Sequence, residues 1–304
     1  MLEKYGATGL IVSGQAYGHA EQSFGKRLEN LLGRVLTRQR ILPNGQYIDF
    51  YDDVSKIGIE YCGLYWHHEK SPTPRKRQYH REKQRVCEQM GIELVTLFED
   101  EWHDHAAQVE NVLLARMGAH HHSIGARQCM LETLSVGEAN AFLAQEHLQG
   151  PSHALRYAWG LRRDRLLAVL TLAPHHRAHN KAELILDRLC FARGVRVPGG
   201  ASRLLHTALY ALHGKGYKSL ITWSDNRWSQ GDVYARLGFT CVAILPPDYT
   251  YVVVTKPRKR LSKQSQMKCR TGCPAHLTEV EWAHQRGLSR VWDCGRKRWQ
   301  LNLD

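Results

Sequence analysis

Asp49, Glu60, His67, His80 and Lys83 fall within one short stretch of the chain. Asp49 lies inside a strand-like run, residues 47–51, and Glu60 near the end of a second, 57–61, with the Asp52-Asp53 turn between them. A carboxylate in an otherwise apolar strand is costly to bury unless something positive compensates it. Two of them across a hairpin offer hard oxygen ligands for Mg²⁺, an ion that keeps other positions for water and phosphate oxygens. His67 follows in Gly63-Leu64-Tyr65-Trp66-His67-His68-Glu69, and Tyr79-His80-x-x-Lys83 adds an imidazole and an ammonium one helical turn apart. Phosphodiester cleavage needs an activated water, a stabiliser for developing charge and a proton for the leaving oxygen. Metal, ammonium and imidazole are able to supply these. The competing reading of each strand carboxylate is a solvent-facing residue with no role.

The elements that would position these groups follow from periodicity. Phe24, Leu28, Leu31, Leu32, Val35 and Leu36 mark one face of a helix over 21–36. A turn at Pro43-Asn44-Gly45 precedes the hairpin, a helix is expected over 79–90 and ended by Gly91, and 92–98 has the apolar density of a buried strand. Glu99-Asp100-Glu101 then suit the positive end of a helix over 103–116. These elements make a first domain, 1–117. Residues 118–128 carry His120-His121-His122 without hydrophobic period and are expected to be a linker, with metal binding by the histidines the less favoured reading.

A second α/β domain is expected over 129–255. Its strands are read at 129–134, 154–160, 166–172, 184–191, 218–223, 239–245 and 250–255, and its helices at 136–147, 200–214 and 229–237. Gly199, Gly200 and Ala201 stand where a helix begins, where exposed backbone N–H groups favour an anion such as a pyrophosphate; the competing reading is a simple turn. The tail, 256–304, is expected to be a small basic module that packs on one of the two domains. Arg258, Lys259, Arg260 and Lys263 suit phosphate contacts. Cys269, Cys273, His276 and Cys294 are not spaced as a paired knuckle, so zinc is not expected there. Cys87, Cys129, Cys190 and Cys241 read as core residues.

Composition narrows the partners. The 304 residues include 42 Lys+Arg against 29 Asp+Glu, a formal net charge of +13, which points to a polyanion, nucleic acid before a membrane, with a basic but unrelated enzyme as the alternative. With 43% hydrophobic and 23% charged residues, disorder and a disulfide scaffold are poor descriptions. No secretory signal or membrane span is read, which leads to the expectation of a cytoplasmic protein.

The order Ile48-Asp49-Phe50, Ile57-Gly-Ile-Glu60-Tyr-Cys-Gly63-Leu-Tyr65-Trp66-His67, Tyr79-His80-x-x-Lys83 and Phe98-Glu99-Asp100-Glu101-Trp102 resembles phage homing-type endonucleases. Their nuclease domain is similar to the very-short-patch-repair branch of the PD-(D/E)xK, or restriction-endonuclease-like, fold. The resemblance implies a phage-encoded DNA endonuclease in a bacterial host, with double-stranded DNA as its partner, Asp49 and Glu60 holding Mg²⁺ and His67 as acid, base or charge stabiliser. Cys62 stands where many relatives have Lys, so the lysine role falls to Lys83, and the first-helix acid is Glu21 or Glu29. Ser224-Asp225-Asn226-Arg227-Trp228 through Leu237-Gly238-Phe239 looks like the last part of a GNAT-type N-acetyltransferase fold and resembles the second domain of the same endonucleases. For this domain two roles follow: an acyl-CoA-like ligand at Gly199, Gly200 and Ala201, or DNA held by Arg227 and Trp228. DNA is preferred because a nuclease needs a recognition partner. An acyl- or group-transferase, with the first domain serving DNA binding, is the alternative.

Overall fold

The computed structural model describes residues 11–12, 15–16, 18–120, 122–175 and 181–303. The chain divides discontinuously into a unit of 1–104 with 246–295 and a unit of 105–245 with 296–304. This departs from the serial order expected from the sequence. The 256–304 tail is not one module: most of it belongs with the first unit, and its last strand is built into the sheet of the second.

In chain order, the first segment contains β1 (Ile11–Val12), β2 (Gln15–Ala16), α1 (His19–Leu32), β3 (Thr37–Ile41), β4 (Tyr47–Asp52), β5 (Ile57–Cys62), α2 (Tyr79–Gln89), β6 (Glu93–Phe98) and the start of α3 (Glu99–Arg116). β3 to β6 form a four-stranded sheet in that order, antiparallel except for the parallel β5–β6 pair. α1 ends earlier than its apolar pattern suggests because Gly33 turns left-handed (φ 64°). The following β3, Thr-Arg-Gln-Arg-Ile, had no apolar alternation to reveal it. It is an edge strand whose Arg38 and Arg40 lie over the rings of Phe50 and Tyr51 at 4.4 and 4.0 Å. Phe24 carries α1 onto the sheet, edge-on to Phe50 and Trp102. Gly25 allows that approach, since a Cβ there would strike the Arg38 guanidinium and the Phe50 ring. The acidic run does sit in the first turn of α3, which is broken at His105 (φ −140°, ψ 36°), where the chain leaves this unit.

The second segment adds β7 (His122–Ser123), β8 (Met130–Thr133), α4 (Val136–Glu146), β9 (Tyr157–Arg162), β10 (Leu166–Pro174), β11 (Glu183–Phe191), β12 (Val195–Arg196), α5 (Gly200–Leu212), β13 (Ser219–Asp225), α6 (Asp232–Arg236) and β14 (Thr240–Leu245). The expected linker is structured over 122–128: β7 pairs with β12, and Ala126 is buried in the core of this unit. His121 lies outside the described residues.

The third segment, β15 (Tyr249–Val253), α7 (Lys268–Thr271), α8 (Glu279–Gln285) and β16 (Leu288–Trp292), completes the first unit. β15, which the sequence reading placed in the second domain, pairs with β16 in the first unit, and Val252 and Val291 pack on Leu64 and Phe98. β17 (Arg296–Asn302) then enters the second unit between β13 and β14. The resulting seven-stranded order is β14-β17-β13-β11-β10-β9-β8. α5 buries Leu204, Leu205, Ala208 and Leu212 against its core. No helix among the described residues is long and apolar enough to cross a membrane.

Candidate functional site

Three carboxylates meet in the first unit. Asp49 on β4 accepts the Tyr61 N–H at 2.8 Å and the Gln39 amide at 3.2 Å. Gln39 reaches it from a left-handed backbone (φ 49°), a conformation that a non-glycine residue adopts at some cost. Glu60 on β5 is buried and takes the Lys83 ammonium from α2, itself buried. Glu21 comes from α1. Burial, then Glu60, raises its carboxyl from the ordinary 4.5 to about 7. Asp49 is likewise held well above the usual range, by desolvation first and then by Glu60 and Glu21. The structure therefore chooses between the two first-helix acids: Glu21 joins the cluster, whereas Glu29 binds Arg38 and caps the Leu36 N–H.

His67 and His80 lie beside this cluster, both buried. Their rings stack at 5.2 Å, with His67 Nδ1 3.4 Å from His80 Nε2. Burial, the His80 ring and the cations Arg75 and Lys83 hold His67 well below the usual imidazole range, so it is neutral near pH 7. Cys62, in the sequence position that a lysine was expected to fill, is fully buried among Leu64, Phe98, Val252 and Val291. Lys83, on α2, has its ammonium engaged by Glu60.

The second unit holds a separate cavity of about 290 Å³. β11 and β13 run parallel but pair only through Glu183/Ser219, Leu184/Leu220 and Ile185/Ile221. Beyond that point β11 follows β10 and β13 follows β17, so the two strands diverge. The Leu186 carbonyl accepts the Thr222 hydroxyl at 2.9 Å where the ladder stops. Asp187 is the extra residue of a bulge opposite the Thr171/Leu172 step. Leu186, Asp187 and Arg188 line one wall, and Thr222, Trp223 and Asp225 the other. Sequence reading missed this site, because neither a bulge nor a loss of pairing leaves a composition signal.

Other sequence candidates are accounted for as follows. Gly199 is left-handed (φ 76°) at the start of α5, and a Cβ on Gly200 would come within 2.9 Å of Phe191. Gly199, Gly200 and Ala201 are not among the residues lining the cavity. Arg196, exposed at the end of β12 just before this turn, was not singled out from the sequence. Several cations expected to meet DNA instead pair within the chain: Arg227 with Asp225, Lys259 with Asp104, Arg260 with Asp100 and Glu101, and Lys263 with Asp248. Trp228 is half-buried. Cys241 is exposed, contrary to its reading as core, while Cys87, Cys129 and Cys190 are buried.

No family model and no curated protein matches the chain. Solved structures similar to it include a GNAT-family N-acetyltransferase from Escherichia coli in complex with CoA, 16% identical, covering 38% of this chain and 69% of that one, at a TM-score of 0.31. Others are IAA acetyltransferase from Bacillus cereus (13%, 58% and 99%, TM-score 0.34) and the ribosomal-protein-S18-alanine N-acetyltransferase of Escherichia coli (12%, 58% and 94%, TM-score 0.34). A likeness this loose carries no chemistry of theirs to this chain. These proteins are acetyltransferases, and that finding overturns the expectation of a DNA endonuclease, a phosphodiester hydrolase of phage origin. Nothing found supports a homing endonuclease or a PD-(D/E)xK nuclease domain.

Proposed function

We propose that the chain is a GNAT-like group-transferring enzyme that takes an acyl-CoA-type donor in its second unit, while its first unit binds double-stranded DNA. The observation that carries this reading is the divergence of β11 and β13. Two parallel strands that part after three pairs leave backbone edges facing each other across a cavity at their C-terminal ends, a usual place for ligands in α/β sheets. An extended, amide-bearing donor satisfies such edges by main-chain hydrogen bonds. The left-handed Gly199 starts α5; the Gly200 N–H is taken by the Val197 carbonyl, and the following first-turn N–H groups, which have no intrahelical acceptor, suit the donor's phosphates together with Arg196.

In acyl transfer a nucleophile bonds to the thioester carbonyl carbon and gives up its proton to solvent, the carbon–sulfur bond breaks, and the departing thiolate takes a proton. Tyr234 on α6 hydrogen-bonds to Thr222 of the cavity wall, and burial raises its hydroxyl above the ordinary tyrosine value. It therefore stays protonated at neutral pH and suits the role of donor to the sulfur.

For the first unit the support is the carboxylate cluster, within a chain whose two units together carry a net charge of +13. Glu21, Asp49 and Glu60 crowd one another, and Glu21 Oε1 is buried without a hydrogen-bond partner. That donor set fits Mg²⁺, which Asp49 and Glu60 would hold and which would supply positive charge toward a DNA phosphate.

Calorimetric titration of the full chain with acetyl-CoA tests the donor site, with the tryptophan emission of wild type and Trp223→Phe compared in parallel to isolate Trp223. Binding in the micromolar range that quenches Trp223 is expected. Absence of heat and quenching at millimolar acetyl-CoA overturns the reading.

A further inference from the structure

We infer that Cys62, His67 and His80 form a binding site for one zinc ion, independent of the donor cavity in the second unit. Their ligand atoms, one thiol sulfur and two imidazole nitrogens, all lie within 4.8 Å of one another, and among the described residues this is the one such group of three. Cys62 is the last residue of β5, His67 lies in the loop that follows, and His80 is the second residue of α2. All three residues are buried, and their side chains are short.

The spacing of the two nitrogens fits a tetrahedral ion. Two ring nitrogens at 3.4 Å are farther apart than a good N–H···N contact, whose spacing is about 3.0 Å. Two nitrogens each about 2.0–2.1 Å from a tetrahedral zinc stand about 3.3 Å apart, close to the spacing found here. Tyr79 and Phe98 approach the imidazoles edge-on, at 6.2 and 5.6 Å, and Leu64 packs beside Cys62. This apolar shell restricts water and favours ligands that stay ordered.

The surrounding charge is mixed: Lys83 and Arg75 act on the group from one sign, Glu60 and Asp49 from the other. With Lys83 already neutralised by Glu60, a thiolate and two neutral imidazoles reduce the charge of a dication to +1. A Cys-His-His set selects zinc over Mg²⁺, which prefers oxygen ligands. No fourth Cys, His, Asp or Glu atom joins the group among the described residues, so the fourth position falls to water or a solute.

The test is metal analysis of the full chain, prepared without a histidine tag and dialysed against buffered Zn²⁺ and then against metal-free buffer. One zinc per chain is expected in the wild type, and less than a fifth of that in Cys62→Ser and His80→Gln. Cobalt substitution of the wild type gives a second reading that does not depend on any variant folding: a thiolate-to-cobalt charge-transfer band and tetrahedral visible bands are expected. Zinc-free wild-type protein, or a cobalt spectrum lacking the thiolate band, overturns the site. Full zinc retention by folded Cys62→Ser does so equally.

Discussion

Lys83 crosses from α2 to set its ammonium on the Glu60 carboxylate of β5, and both side chains are almost wholly buried, at 4% and 6% exposure. The pair is thus an internal ion pair whose partners depend on each other. Removing one leaves a charge in a poorly solvated place, whereas replacing both with apolar or neutral groups removes the need for the pair. Lys83→Ala is expected to destabilise the first unit by about 3–5 kcal/mol, and Lys83→Met with Glu60→Gln to recover most of that loss. Urea unfolding followed by tryptophan fluorescence measures both. A Lys83→Ala protein as stable as wild type would show that water reaches Glu60.

Glu21 sets a pH dependence of opposite sign to that of a salt-bridged acid. Its carboxyl is raised from 4.5 unfolded to about 7 folded, so the folded chain binds the extra proton between those values. Stability contributed by this group is therefore full below about pH 4.5 and falls as pH rises toward 7. Glu21→Gln is expected to remove that slope and to raise stability at pH 8 by about 2–3 kcal/mol. Melting temperatures of the two proteins across pH 5–8 give the comparison, and parallel profiles would exclude Glu21 as the source. Added Mg²⁺ is expected to narrow the gap at pH 8 in the wild type by neutralising the crowded carboxylates.

Tyr234 separates a proton-donating role from a packing role. Tyr234→Phe keeps the ring that packs on Phe239 and Trp299 and removes only the hydroxyl that meets Thr222. For acyl transfer from acetyl-CoA the variant is expected to lose about 100-fold in kcat with little change in donor affinity. Steady-state kinetics with a thiol-release readout decide it. Unchanged kcat would move the proton to another group, and lost affinity would mark Tyr234 as part of the donor's binding surface.

Much of the local structure could be read from the chain alone. Phe24, Leu28 and Leu32 recur at helical spacing, Ile57 to Cys62 is apolar enough for an inner strand, and Gly33 and Gly91 stop helices because only the left-handed turn is compatible with the chain's next direction. The type of Asp49 and Glu60 and their place on adjacent strands were legible for the same reason: a carboxylate inside an apolar run is conspicuous in one dimension. Partner choice was not. Periodicity says which face of an element is apolar but not which other element covers it, and pairings between distant segments depend on the edges and faces that meet when the whole chain condenses. Only the tertiary structure could place β17 between β13 and β14, return 246–295 to the first unit, select Glu21 over Glu29, part β11 from β13 after Ile185, and gather Cys62, His67 and His80. In each of these cases the deciding quantity is a distance between residues far apart in sequence, or between side chains whose direction a one-dimensional pattern leaves free.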